Sequence, residues 1–171
     1  MAIARLTPTS FVLLGLIEQM QPASPYDLKR AAAAGVGQFW SLPHTQLYSE
    51  CSRLAGAGLL SERREKSGRR RRIYRLTKAG EEAVDRWRAE PTGELYELRD
   101  AGLLKLFFGA DPKKLAQPQL EAHEEKLRDY EAQLAQCREA GLPEGVLHAI
   151  EAGIGHEREY VRFWSRLERK G

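Results

Sequence analysis

A chain of 171 residues, 42% hydrophobic and 30% charged, suffices for one large domain or for a small domain with an extension, and its composition excludes global disorder. No apolar run nears the roughly 18 residues of a membrane span, and Met1-Ala2-Ile3-Ala4-Arg5 lacks the regions of a secretory signal, so the expected compartment is the cytoplasm. Charge is uneven: residues 1–90 hold 15 Lys and Arg against 9 Asp and Glu, a net +6, whereas residues 91–171 hold 12 against 15, a net −3, and the two return the overall +3. Thr7-Pro8-Thr9-Ser10 carries the capping hydroxyls and early proline of a helix start, and the Phe11–Ile17 run that follows is apolar enough to be buried. Ser24-Pro25 repeats the signal for a helix over Tyr26–Ala34, closed by Gly35-Val36-Gly37. Ser41-Leu42-Pro43 opens a third, from His44 to Ala57, with Leu47, Cys51, Leu54 and Ala55 at helical spacing and Gly56 and Gly58 at its end.

The period then shortens. Leu59–Arg64 and Arg72–Thr77 read as two strands around the turn Lys66-Ser67-Gly68-Arg69, hence a hairpin, and Thr77 caps a fourth helix to about Arg88. Three helices, a basic hairpin and a helix are the order of a winged helix–turn–helix module. The major groove of a duplex admits one helix, ordinarily the second of the turn motif. Here that helix offers Ser41, His44, Thr45, Gln46, Tyr48, Ser49 and, further along, Arg53. The hairpin tip adds Arg69, Arg70, Arg71 and Arg72, suited to phosphate or minor-groove contacts. Each signal alone describes an ordinary solvated surface; in this order, and with the basic front half, they point together to double-stranded DNA.

These residues also resemble a known family. Phe39-Trp40-Ser41, Gln46-Leu47-Tyr48, Leu54 and Gly58-Leu59-Leu60 are similar to the recognition-helix signature of PadR-type transcriptional regulators. Gly68 through Gly80 resembles that family's wing and the start of its next helix. Leu98-Arg99-Asp100 through Leu103–Gly109 resembles the entry into the long C-terminal domain of its larger members. Where members commonly carry proline after the tyrosine, this chain has Ser49-Glu50-Cys51, which sets a carboxylate close to the DNA face. The resemblance implies homodimeric repressors that bind inverted-repeat operators and release them on binding a small aromatic effector.

The back half, 91–171, opens with a break at Glu90-Pro91-Thr92-Gly93 and a helix expected from about Glu94 to Phe108. A second helix, through about Ala140, shows Leu120, His123, Leu127, Tyr130, Leu134 and Cys137 at alternating three- and four-residue steps, a seam of under three heptads. A third runs from Glu144 to Arg169 with Leu147, Ile150, Ile154, Val161, Trp164 and Leu167. Such faces need covering, by each other or by a second copy; Leu120, Leu127, Tyr130, Leu134, Ile154 and Val161 are the residues expected at a homodimer interface, and a monomeric bundle is the alternative. Gly153 and Gly155 in mid-helix point to a close helix approach or a bend. His148, His156, Tyr160 and Trp164 line either an ordinary core or a pocket for a flat aromatic effector. Neither zinc-ligand spacing nor a cofactor motif is present, and no catalytic order of Ser, His and Asp or phosphate loop argues for an enzyme. Cys51 and Cys137 are too far apart for a disulfide framework and read as small buried hydrophobes, with a redox switch as the other reading.

The expected fold is therefore mainly α with one small β-hairpin: an N-terminal winged helix–turn–helix domain over 1–90 and a C-terminal helical domain over 91–171. The expected function is sequence-specific regulation of transcription by a cytoplasmic homodimer. The alternative is a nonspecific architectural or protein-interaction winged helix.

Overall fold

The computed structural model describes residues 5–40, 42, 44–65 and 71–170, without the side chains of His44, Thr45 and Lys170, and divides into two units, Met1–Glu94 and Leu95–Gly171. In the first unit, Thr7 and Ser24 sit in extended backbone ahead of a proline and close reciprocal capping boxes. Thr7 Oγ1 accepts from the Ser10 N–H and Ser10 Oγ from the Thr7 N–H; Ser24 and Asp27 exchange the same pair of bonds. Both satisfy amides that a helix start would otherwise leave orphaned. These caps begin α1 (Pro8–Met20) and α2 (Pro25–Ala34). A short 3-10 turn over Val36–Gln38 leads on to α3 (His44–Gly56). Gly58, at φ +77, ends α3: its N–H donates to Ala55 O and that of Leu59 to Leu54 O, the paired closure in which a left-handed residue favours glycine.

The chain then forms β1 (Leu60–Arg64) and β2 (Arg72–Leu76), antiparallel, with Leu60 opposite Leu76, Glu62 opposite Tyr74 and Arg64 opposite Arg72. Ala23, between α1 and α2, exchanges two backbone hydrogen bonds with Tyr74, so the wing is stitched to the helices on its inner edge. The α4 helix (Lys78–Ala89) follows, capped by Thr77. Leu13, Leu14 and Ile17 of α1, Leu28 of α2, and Leu47, Cys51 and Leu54 of α3 bury together with Leu60, Tyr74, Leu76 and Val84 in one core. Burial pushes the Cys51 thiol up to about 12, the Glu50 charge adding to it. Cys51 is thus a neutral apolar filler at neutral pH, as the buried reading holds.

The second unit departs from expectation at its start. Residues 91–100 are irregular, and the first helix here, α5, covers only Ala101–Phe107. Its cap is Asp100, whose carboxylate accepts from the Leu103 N–H. Leu95, 94% exposed, has no core to face, so its spacing to Leu98 carries no helical information. Leu104, Phe107 and Phe108, expected on an apolar face, are likewise exposed. Then α6 (Pro112–Glu139) and α7 (Glu144–Lys170) fold back as a hairpin. Gly141, at φ +66, makes the turn. Tyr130, Leu134, Ile150 and Ile154 form the hairpin core, flanked by Leu127, Cys137, Val146 and Leu147. Gly153 is needed there, because a Cβ on it would stand 3.0 Å from the Tyr130 ring. The close-approach reading therefore accounts for Gly153, whereas Gly155 has open space around it. Among the described residues no helix is long and apolar enough to cross a membrane, and no group of three or more His, Cys, Asp or Glu is placed to hold a metal.

Candidate nucleic-acid interface

Helix α3 buries one face through Leu47, Cys51 and Leu54 and leaves Gln46, Tyr48 and Ser49 exposed on the other. That split follows from the sequence, whose apolar positions recur every three and four residues. Of the remaining expected contacts on this helix, Ser41 and the side chains of His44 and Thr45 lie outside the described residues, as do Arg69 and Arg70 at the hairpin tip. Arg71 and Arg72 are both exposed, and both have an acidic neighbour: Arg71 Nε lies 3.3 Å from Glu65 Oε2 and Arg72 Nη1 3.6 Å from Glu62 Oε2.

Arg72 and α3 meet. Arg72 Nη1 donates to Ser52 Oγ at 2.9 Å, and the Tyr74 hydroxyl donates to Glu62 Oε2 at 3.1 Å. Tyr48, Ser49, Ser52, Arg72 and Tyr74 line a groove of about 420 Å³ between α3 and β2. Its walls offer a guanidinium and hydroxyl groups, the donors that phosphate oxygens take. Sequence reading missed Ser52, Tyr74 and Glu62. The signal for Glu62 was available: once the hairpin is registered, residues 62 and 74 face each other and 72 is diagonal to 62 on the same side, within reach of long side chains.

Arg53 has a different occupation. Its guanidinium is bidentate on Glu50, with Nε–Oε2 at 2.8 Å and Nη2–Oε1 at 2.6 Å, and Nη2 also reaches Ser10 Oγ at 3.1 Å. Ser10, wholly buried on α1, donates to Glu50 Oε1 at 2.6 Å. Arg53 first, and Ser10 after it, hold the Glu50 carboxyl below the usual carboxylate range against the opposing effect of partial burial. The carboxylate that the sequence sets close to the DNA face is therefore engaged inward, tying α3 to α1. A phosphate contact by Arg53 would have to compete with this pair.

In the second unit, two of the four residues expected around an effector, His156 and Tyr160, come together. His148 is exposed and pairs with Glu151 at 3.1 Å. The His156 ring lies tilted 4.6 Å from that of Tyr160, which lies 4.6 Å from His123, and Tyr96 meets His156 edge-on. His123 Nδ1 is 2.5 Å from Oε2 of Glu157, a carboxylate only 5% exposed. Burial first, and then the Asp100 charge, push the Tyr160 hydroxyl up to about 12. Trp164 is fully buried, and its indole N–H has no hydrogen-bond partner among the described residues. Of the residues expected between two copies, Tyr130, Leu134 and Ile154 are buried within the hairpin of a single chain, while Leu120, Leu127 and Val161 remain half-buried.

Residues 13–86, which run from α1 through the wing into α4, match the transcriptional regulator PadR-like family. Residues 13–86 are thus a PadR-like domain. The family matched over that segment is one of transcriptional regulators. A curated relative, the negative transcriptional regulator PadR of Bacillus subtilis (strain 168), is 27% identical over 169 residues, 94% of this chain and 88% of the relative. The structure of Bacillus subtilis PadR in complex with operator DNA superposes with a TM-score of 0.85 at 21% identity, over 98% of this chain and 99% of that one. The structure of the same regulator in complex with p-coumaric acid gives 0.76 at 22% identity, over 94% and 96%. The likeness to these structures extends over nearly the whole chain, so the PadR-like fold includes the helical second unit as well as the winged helix.

Proposed function

We propose that the protein is a sequence-specific repressor that binds an inverted-repeat operator in double-stranded DNA as a homodimer. In this reading, residues 1–90 are the DNA-binding part and residues 91–171 serve dimerisation and effector binding. The observation that carries it is the exposed polar face of α3 beside Arg72 and the groove they share, on a fold whose relative is named a negative regulator and has been crystallised on operator DNA. The α3 face enters the major groove, Gln46 reads base edges, and Arg72 holds the backbone. A two-fold pair sets its recognition helices about one helical turn apart, and its occupancy of a promoter blocks transcription. The relative's p-coumaric acid complex and the ring cluster of Tyr96, His156, Tyr160 and His123 support release by a small aromatic effector. Such release works by favouring a spacing of the two helices that fits the operator less well.

Arg72→Ala and Gln46→Ala separate the two kinds of contact. Arg72→Ala is expected to weaken binding on every duplex alike and to lessen the slope of log affinity against log salt by about 0.9, the value of one phosphate contact. Gln46→Ala is expected to reorder preference among operator variants more than it lowers affinity overall. Fluorescence anisotropy titrations from 50 to 200 mM salt read both. An Arg72→Ala protein with wild-type affinity and slope contradicts the wing assignment.

A further inference from the structure

Two of the residues that line the groove between α3 and the wing, Arg72 and Tyr74, already share an anion of the protein's own. Glu62 projects from β1 on the same side as Arg72, opposite Tyr74 in the register. Its Oε2 receives the Tyr74 hydroxyl at 3.1 Å and faces Arg72 Nη1 at 3.6 Å, while Oε1 faces Arg64 Nε at 3.5 Å. Arg72 spends a second donation on Ser52 of the recognition helix at 2.9 Å. Tyr74 is buried and bridged to Ala23, so its hydroxyl holds the carboxylate of the exposed Glu62 beside Arg72. Burial keeps that phenol protonated and able to donate.

We infer that Glu62 is an affinity-setting residue: it occupies Arg72 in the free protein, and a DNA phosphate entering the groove must displace it. The inference rests on the DNA-binding reading above and names how that site is tuned. A phosphate on Arg72 has to be drawn from water, take over the guanidinium from a carboxylate, and then lie within a few ångströms of that negative charge. All three costs are independent of base sequence, since a phosphate carries none. Glu62 therefore weakens binding on operator and random duplex by the same factor. In a genome dominated by random sites, this lets the protein leave wrong sites faster while base contacts by α3 keep their full discriminating effect.

Glu62→Gln tests this, because glutamine keeps an acceptor for the Tyr74 hydroxyl and removes only the charge. The full-length variant is expected to bind both operator and random duplex about fivefold more tightly, the upper end for an exposed ion pair. Its salt slope should steepen by less than the about 0.9 of a whole phosphate contact, as the contact Arg72 makes is freed of its competing carboxylate, and the ratio of operator to random affinity should stay the same. The gain should largely vanish when Glu62→Gln is made in the Arg72→Ala background, the coupling expected of two groups in contact. Affinity and slope equal to wild type overturn the inference. So does an undiminished gain without Arg72, which would make the effect one of net charge alone. Either result leaves the DNA-binding reading intact so long as the wild-type protein holds its operator. A wild-type protein that holds no duplex removes both.

Discussion

Replacing His123 by leucine is expected to destabilise the helical second unit by about 3–5 kcal/mol, the range for removing one partner of a buried pair. Glu157 is 5% exposed and receives His123 Nδ1 at 2.5 Å. Leucine offers no donor, so an almost wholly buried carboxylate is left without the partner that satisfies it. Replacing both residues, His123→Leu with Glu157→Leu, should recover most of the loss, because the cost lies in the orphaned charge. Urea unfolding followed by circular dichroism measures all three proteins. A single variant as stable as wild type at pH 7 contradicts this description of the site.

Gly80→Ala gives the second large effect, and its sign opposes helix propensity. Gly80 is the third residue of α4, where alanine ordinarily gains about 1 kcal/mol over glycine. Here a Cβ would lie 2.2 Å from the Leu59 carbonyl oxygen and 3.2 Å from its carbon. That carbonyl is fixed by the Thr77 N–H at 3.1 Å, and Thr77 Oγ1 both donates to Gly58 O at 2.7 Å and accepts the Gly80 N–H at 3.2 Å. Relief would pull apart the seam where α3, the wing and α4 meet. The expected loss is about 3 kcal/mol, at the upper end for overpacking, read as a fall in the thermal midpoint. Gly15→Ala in α1, with nothing within 4 Å of its Cβ position, is the control and should raise the midpoint instead. A Gly80→Ala protein that behaves like Gly15→Ala refutes the close contact.

Sequence patterns led to the winged helix because its determinants are local. The hydroxyls of Thr7, Ser24 and Thr77 each cap a helix three residues deep, and the change from a period of three and four to a period of two marks β1 and β2. What escaped was non-local. Glu50 engages Ser10, forty positions away, a pairing with no signature along the chain, whereas Glu62 meets Tyr74 and Arg72 through strand register, which becomes legible only once the two strands are paired residue by residue. The helix expected over 94–108 shows a different limit. Leu95 and Leu98 are spaced as on a helix, but apolar spacing makes a helix only when a core receives it, and both are exposed. The seam on α6 shows a third, since a heptad pattern looks the same whether its partner is α7 of the same chain or a helix of another copy. Tyr130, Leu134, Ile150 and Ile154 bury in the α6–α7 hairpin core.

The most direct test is an anisotropy titration of the full-length protein on duplex from upstream of its own gene, at physiological salt, against an excess of random-sequence duplex. The proposed function predicts tight binding that survives the competitor, with a preference of about a thousandfold or more and two subunits per site. Binding to operator and random duplex with the same affinity contradicts it, and would make the winged helix a nonspecific DNA-binding module.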